Sequence, residues 1–500
     1  MNVGARRCPI SGSIQTFVLD GVEAKACRAE VAIVRGKTAR TTIVGLPDTS
    51  VREAVERVQG AMAAGGFPYP EGRVTINLTP ASLRKEGPLY DLPIAIAVLL
   101  ASRMLGSDAG QRAADCLIAG EMRLDGQLQP IAGGVAMADL ASRTGVANVI
   151  LPAANAESAA MVRGVCVRPA ETLREVVDFL MGKESLPVAQ PLPVDTSSHG
   201  VDLSDIRGQA LPRRALTVAA AGWHNMIMIG PPGTGKTTLA RCLPGILPPP
   251  RPKERLEMAR IASVSPGGAV PARRPFRSPH HTASAAAIVG GGVRPRPGEV
   301  TLAHHGVLFL DELPEFPRAA LEALREPLER DEVVIARVGG RVCFPARVLL
   351  VAAMNPTRRG HGRPGRDGSL QRLSGPLLDR IDLHVEVPAI PVRDLDGERH
   401  GESSSQVGKQ VAAAWRVQQL RQGDVLNGRL GPRELDEWAA MSTAAKQMLR
   451  RAVEELGLSA RAWDRIRRVA RTLADLDEVE GLDVAHIAEA VQYRWLDREL

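Results

Sequence analysis

Aromatic residues are scarce in this chain and long apolar runs are missing. Aromatics are 3% of its 500 residues, so a grip on nucleic acid by stacking bases on aromatic platforms is disfavoured. The longest apolar run, Ile94 to Ala101, is far short of the roughly 20 residues that cross a bilayer, which argues against membrane insertion. Met1 to Asp20 contains no apolar h-region, so no secretory signal is expected. The six cysteines (Cys8, Cys27, Cys116, Cys166, Cys242, Cys343) include no C-x-x-C pair. That speaks against a zinc site or a disulfide framework and suits a reduced, cytoplasmic setting. Internal repeats and long low-complexity tracts are missing too. The net charge of +7 is modest for this length, so only local arginine clusters carry information about anionic partners.

What is present is concentrated around one glycine-rich stretch. Gly230-Pro231-Pro232-Gly233-Thr234-Gly235-Lys236-Thr237 fits G-x-x-x-x-G-K-[ST]. The apolar run Met226 to Ile229 leads into it, and a helix-compatible run beginning at Thr238 follows, the context a phosphate-binding P-loop needs. The glycines let backbone N–H groups curl around an anion. Lys236 is placed to reach the β- and γ-phosphates, and Thr237 to put its hydroxyl on Mg²⁺. Residues Gly230 to Thr238 are therefore the expected ATP site.

Five hundred residues call for two to four domains. Residues 1–180 alternate strand-like and helix-like segments, including strands at Val31–Val34, Thr41–Val44, Val74–Leu78 and Val149–Leu151 and helices over Ser50–Ala64 and Asp91–Leu105. Prolines and serines in 181–200 read as a linker. Over 201–392, short apolar strands alternate with helices, the pattern of a parallel sheet covered on both faces. Residues 393–410 read as a flexible polar connection, and 411–500 as a helical lid.

Further chemistry falls at the ends of apolar strands. Gly306 to Leu310 runs into Asp311-Glu312, a Walker B pair in which Asp311 would hold Mg²⁺ and Glu312 would act as general base on the attacking water. Arg347 to Met354 ends at Asn355-Pro356. Asn355 would orient that water, the role called sensor 1, or simply open a turn. Arg380 lies between Asp379 and Asp382, either paired locally or serving as an arginine finger in a neighbouring subunit's site. Ser459 can cap a helix bearing Arg461, Arg465 and Arg468. Arg461 sits at the helix end that disfavours a cation, which suggests a γ-phosphate contact (sensor 2), the alternative being a solvated face. Asp202 to Gln209 is a weaker candidate for a loop around adenine.

These parts, in this order, resemble an AAA+ ATPase. Phe276 to Ser284, Leu308 to Phe316, Ser374 to His384, Val44 to Asp48 and Asp91 to Ala95 narrow the likeness to the Mg-chelatase-like ComM/YifB family, over nearly the whole chain. The resemblance implies a homohexameric ring with ATP and Mg²⁺ between subunits and DNA in the pore, and a branch-migrating, helicase-like motor in recombination or natural transformation. Its rivals are a Mg-chelatase motor subunit, a Lon-like protease and an ATP-switched assembly factor. Family members often carry cysteines after the sensor-1 Asn-Pro; here Thr357 to Arg366 has none.

The first block also resembles the proteolytic domain of Lon proteases, most clearly over Gly120 to Gly134. The dyad that chemistry needs is missing. Gly87-Pro88-Leu89 holds no serine, and Val135-Ala136-Met137 after Gly133-Gly134 holds no lysine, so no peptidase activity is expected. The fold class implied is α/β, an AAA+ P-loop core with a helical C-terminal lid after an α+β Lon-protease-like domain. DNA contacts are sought in two arginine-bearing segments. One is a loop-like insertion between Glu254 and Glu299 containing Arg273, Arg274, Arg277, Arg294 and Arg296. The other is a hairpin over Val333 to Phe344, turning at Gly339-Gly340, with Arg337 and Arg341 flanking its tip. Both would track the backbone without reading sequence; the bland alternative is a solvated loop and an ordinary surface hairpin.

Overall fold

The computed structural model describes residues 10–36, 40–191, 200–292, 295–337, 340–356, 373–390 and 401–498. Two compact units emerge: residues 1–195 with 255–271, and residues 196–254 with 272–500.

The first unit is built on a seven-stranded mixed sheet. Its strands are β1 (Ile10–Asp20), β2 (Glu23–Val34), β3 (Arg40–Val44), β4 (Arg73–Thr79), β5 (Cys116–Ile118), β6 (Asn148–Pro152) and β7 (Cys166–Ala170). They lie in the order β3-β4-β2-β1-β5-β6-β7. β1 and β2 form a long antiparallel hairpin, whereas β1, β5, β6 and β7 run parallel. Helix α1 (Thr49–Ala64) starts where Asp48 Oδ1 accepts the Val51 N–H at 2.8 Å, an N-cap that frees no donor to the core. Helix α2 (Asp91–Ala101) is apolar all round and buried along almost its whole length, as such a helix must be. It lies so close to β1 that a Cβ on Gly12 would stand 2.4 Å from the Ala97 carbonyl oxygen, which is why that strand position takes glycine. Helix α3 (Gly134–Thr144) begins with Gly133 in the left-handed region.

The helix Pro252–Val264 opens the segment that reads as a loop-like insertion in the sequence. Residues 255–271 belong to the first unit. Ala259 joins its core, and the Ser263 carbonyl accepts the Gly133 N–H at 2.8 Å. The burial of an apolar face has outweighed the local glycine, proline and arginine content.

The second unit carries a fully parallel five-stranded sheet of β8 (Met226–Ile229), β9 (Phe276–Arg277), β10 (Val307–Leu310), β13 (Leu349–Met354) and β14 (Leu383–Glu386). A separate antiparallel hairpin pairs β11 (Glu332–Arg337) with β12 (Gly340–Pro345). The sheet order is β9-β10-β13-β8-β14, so β13 is inserted between the P-loop strand and the Walker B strand. Helix α4 (Lys236–Ile246) follows the P-loop. Helices α5 (Ser404–Gln422) and α6 (Ala460–Leu476) belong to the helical C-terminal part. Val407, Trp415, Ile466 and Leu473 from these helices share one hydrophobic core with Met228, Phe309 and Val351 of the sheet. α5 begins inside the stretch that reads as a flexible connection, because Ser403 and Gln406 form a reciprocal capping box. Among the described residues no helix is long and apolar enough to cross a membrane.

Candidate active site

The P-loop bends as it does for local reasons. Gly233 and Gly235 have φ of +79° and +83°, a region costly for side chains bearing a Cβ. A Cβ on Gly230 would stand 2.0 Å from the Val387 carbonyl oxygen. Thr234 Oγ1 donates to the Pro231 carbonyl at 3.0 Å and closes the loop. Pro232 continues the turn, and Thr238 lies in the first turn of α4, where its carbonyl accepts from the Cys242 thiol at 3.4 Å.

Lys236 opens α4 and is buried. Its ammonium donates to the carbonyls of Gly230 at 2.7 Å and Pro231 at 2.8 Å, and to Asn355 Oδ1 at 3.2 Å. Burial pulls its pKa below the usual lysine value, opposed by the charge of Asp311. The Asn355 contact follows from topology. β13 lies directly beside β8 in parallel register, Ile229 opposite Met354, so the residue after β13 meets the residues after β8.

Thr237 Oγ1 donates to Asp311 Oδ2 at 2.8 Å. A hydroxyl and a carboxylate held together are hard oxygen donors of the kind Mg²⁺ takes, the rest of its shell being usually water and phosphate oxygens. Glu312 follows with φ +53°, left-handed for a non-glycine residue, and its N–H donates to Asp311 Oδ1 at 3.0 Å. Such a backbone is held only where surroundings over-determine it, and it fixes the direction in which the exposed Glu312 carboxylate leaves the strand end. Lys236, Thr237, Asp311, Glu312 and Asn355 are thereby gathered in one place.

Two residues lie beside this cluster, His281, to which the sequence gives no catalytic role, and Gln209, the last residue of the candidate adenine loop. His281 Nδ1 lies 3.2 Å from Glu312 Oε2; the Ser278-Pro279-His280-His281 run had marked only a family likeness. Gln209, in the left-handed region, donates to the carbonyls of Pro388 at 2.8 Å and Thr234 at 3.4 Å. That puts the end of the 202–209 loop against the P-loop.

Arg380 and Arg461 lie elsewhere in the unit. Arg380 donates to Glu329 at 2.5 Å, and Arg461 to Asp379 Oδ2 at 2.6 Å. Both line an open pocket of about 340 Å³ together with Arg429, Arg465 and Arg468. Arg380 Nε and Arg465 Nη1 are buried without a hydrogen-bond partner among the described residues. None of the contacts described for either arginine is to the P-loop or to Asp311.

Of the candidate DNA contacts, Arg296 and Arg341 are exposed, Arg296 on the short ribbon that pairs Gly290–Gly291 with Arg296–Pro297 and Arg341 on β12. Arg294, the side chain of Arg337, the hairpin turn 338–339 and the arginine-bearing loop 357–372 lie outside the described residues. Two other arginines of the insertion are committed internally. Arg277 makes a bidentate pair with Glu299 at 2.7 and 2.8 Å, and Arg274 is buried against Glu254 at 2.7 Å. They are structural cations, which corrects the expectation that this whole segment tracks phosphates.

Comparison with known proteins gives a consistent placement. The model of magnesium chelatase, subunit ChlI, matches residues 202–395; that of subunit ChlI of Mg-chelatase matches 29–155; and that of the ChlI C-terminal part matches 401–494. The uncharacterized protein YifB of Salmonella typhimurium is 44% identical, covering 97% of each chain. The competence protein ComM of Haemophilus influenzae is 43% identical, covering 96% of each. A magnesium-chelatase 67 kDa subunit of Chlorobaculum parvum is 28% identical over 39% of this chain and 27% of its own.

Proposed function

Since this chain belongs to the YifB/ComM family of Mg-chelatase-like, AAA+-type ATPases, we propose that it is an ATP-driven motor acting on DNA as a homohexamer. The observation that carries the ATPase half is the cluster in which Lys236, Asn355, Thr237 and Asp311 are joined by hydrogen bonds. The DNA half draws support from the near full-length likeness to a competence protein and from exposed arginines on two ribbons.

The chain's own residues divide the work. Lys236 exchanges its carbonyl partners for phosphate oxygens. Thr237 and Asp311 would hold Mg²⁺, which when bound offsets charge on the phosphates. Glu312 takes the proton of the attacking water, and Asn355, fixed through its oxygen by Lys236, keeps its amide N–H groups free to orient that water. Arg380 and Arg461 share a pocket in which four guanidinium nitrogens, one each of Arg380 and Arg465 and two of Arg429, lack hydrogen-bond partners among the described residues. An anion would satisfy them, so this face is offered to the nucleotide of the neighbouring subunit. An arginine supplied in this way contributes about 10³–10⁵ in rate, or roughly 4–7 kcal/mol of barrier.

We further read the first unit as a Lon-protease-like domain without peptidase chemistry. Val135, Ala136 and Met137, where the lysine would stand, are fully buried apolar side chains, and Leu89, in the stretch where the serine would stand, is nearly so. The test of the whole reading is ATP turnover measured with single-stranded, duplex and forked DNA at several salt concentrations. DNA stimulation with salt-sensitive binding supports it. Turnover indifferent to DNA refutes the motor reading and returns the chelatase-type motor and the assembly switch. Lys236→Ala should abolish ATP binding, whereas Glu312→Gln should bind ATP and fail to turn over.

A further inference from the structure

His224 and Asn225 join the helix Ala210–Gly222 to β8, and both are buried, His224 completely. Polar side chains so placed must be hydrogen-bonded, and these two spend their bonds on the turn that carries Arg380. Asn225 Nδ2 donates to the Arg380 carbonyl at 2.8 Å. The Asn225 carbonyl accepts the N–H groups of Asp382 at 2.9 Å and Leu383 at 3.0 Å. Asn225 Oδ1 accepts the Leu350 N–H of β13 at 2.9 Å. One residue thereby ties the Arg380 turn to the sheet.

His224 holds the same turn from a second side. Its Nδ1 lies 3.1 Å from Asp382 Oδ2, and its Nε2 lies 2.7 Å from Thr472 Oγ1 of α6. Burial pushes the Asp382 carboxyl up, but the His224 bond, Arg465 and Arg468 outweigh it and the net shift is downward. An ionised carboxylate only accepts, so Nδ1 is the donor. The ring fills the space beside the main chain, where a Cβ on Gly222 would stand 2.1 Å from Nε2. Arg494 Nη1 adds a bond to the Ile381 carbonyl at 2.6 Å. The turn lies at one end of β8 and the P-loop at the other. Four strand residues separate them by about 13 Å, which suits an arginine that serves another subunit's site and not its own.

We propose that Asn225 and His224 are positioning residues that set the direction in which Arg380 is presented to the neighbouring subunit's nucleotide, an inference that rests on the reading of Arg380 as shared between subunits. The arginine that a chain offers and the phosphate loop that it keeps then hang from the two ends of one short strand.

Steady-state ATP turnover is measured for the full chain carrying Asn225→Asp, Asn225→Ala, His224→Asn, His224→Leu or Arg380→Ala, each alone and mixed with Lys236→Ala chains. Asn225→Asp is isosteric. It keeps an acceptor for the Leu350 N–H and sets a second oxygen against the Arg380 carbonyl, so it breaks the tie to the turn alone. Misplacing a group that acts in the transition state by about 1 Å costs about 10² in rate. Both Asn225 variants should therefore lower kcat by about that factor and leave KM for ATP unchanged. His224→Asn, whose amide still donates to Asp382, should keep the wild-type rate, whereas His224→Leu should fall as the Asn225 variants do. Mixing should restore to the impaired variants the same share of activity as to Arg380→Ala, because Lys236→Ala chains supply a correctly aimed arginine to intact phosphate loops. A merely loosened fold would raise KM and would not be mended by a neighbour. A wild-type kcat for Asn225→Asp or His224→Leu overturns the proposal. So does a loss that mixing leaves unmended while Arg380→Ala recovers, which places the fault in the chain's own site through Leu350 and β13. If Arg380→Ala itself does not recover, the shared site is refuted and this role falls with it.

Discussion

Glu254→Gln separates a structural arginine from a DNA-binding one. Arg274 sits in an arginine-rich segment that from sequence alone belongs with the phosphate-tracking candidates. Its side chain is 2% exposed and that of Glu254 is 7% exposed, and their charged atoms are 2.7 Å apart. Its other N–H groups donate to the carbonyls of Pro248 at 2.7 Å and His305 at 2.9 Å. Its guanidinium lies over the rings of Trp223 and Trp415, 5.7 and 5.1 Å from their centroids. Removing one partner of a buried pair costs about 3–5 kcal/mol, because the remaining charge stays desolvated. The amide oxygen of glutamine keeps one hydrogen bond and the rings stay, so the lower end, about 3 kcal/mol, applies. At about 2–4 °C per kcal/mol for a unit of this size, the melting temperature should fall by roughly 6–12 °C. All five tryptophans lie in the second unit, so intrinsic fluorescence follows that unit alone. The pH dependence gives a second readout. Burial pushes the Glu254 carboxyl up, but Arg274, the Arg251 N–H and His305 outweigh it and the net shift is downward. A depressed folded pKa means the contribution is present above the unfolded value near 4.3 and is lost as pH falls through the lower folded value. Glu254→Gln should remove that part of the acid dependence. An unchanged melting temperature, together with weaker and less salt-dependent DNA binding for Arg274→Leu, would refute the assignment.

Two further outcomes follow from the other arginines. Arg380→Ala should lower turnover by about 10³–10⁵ with ATP affinity retained. Mixing it with inactive Lys236→Ala chains should restore part of the activity, because each defective partner supplies what the other lacks; no recovery would place Arg380 outside a shared site. Arg341→Ala should weaken binding to single-stranded DNA uniformly across sequences and reduce the slope of log affinity against log salt by about 1. Fluorescence anisotropy across a salt series measures this, and an unaltered slope would remove β12 from the interface.

The parts of the site legible in the sequence are those where an apolar strand ends in chemistry. Met226–Ile229, Val307–Leu310 and Leu349–Met354 are each fully buried, so they read as strands without alternation. The residues that follow them, Gly230, Asp311 and Asn355, are read off by position. Contacts set by strand order were not legible. Lys236 meets Asn355 only because β13 is inserted between β8 and β10, and His281 meets Glu312 only because β9 is the outer neighbour of β10. Nothing in local spacing encodes either. The β1–β2 hairpin was half seen, since Ile10-Ser11-Gly12-Ser13 lacks a strand's composition and becomes β through pairing with Glu30 to Ile33.

Arginine is the residue for which sequence reasoning was weakest, and the reason is physical. A guanidinium suits a buried carboxylate and a phosphate equally well, since both present two oxygens to its planar fork. Composition therefore cannot assign it; only the partner can. Arg274 and Arg277 have carboxylates in bonding geometry and are spent on the fold. Arg471 is likewise buried against Asp475 at 2.9 Å. What sets Arg380 and Arg465 apart is where such nitrogens gather: Arg380 Nε, Arg465 Nη1 and two nitrogens of Arg429 lie in one pocket, buried without a hydrogen-bond acceptor among the described residues, although each of these arginines also pairs with a carboxylate. Leaving a charged donor unsatisfied in the interior costs more than an ordinary hydrogen bond returns. An arrangement that gathers four such donors in one pocket is accounted for when an external anion completes it. That argument, rather than the number of arginines, makes the Arg380 pocket the place to look for a second subunit's nucleotide.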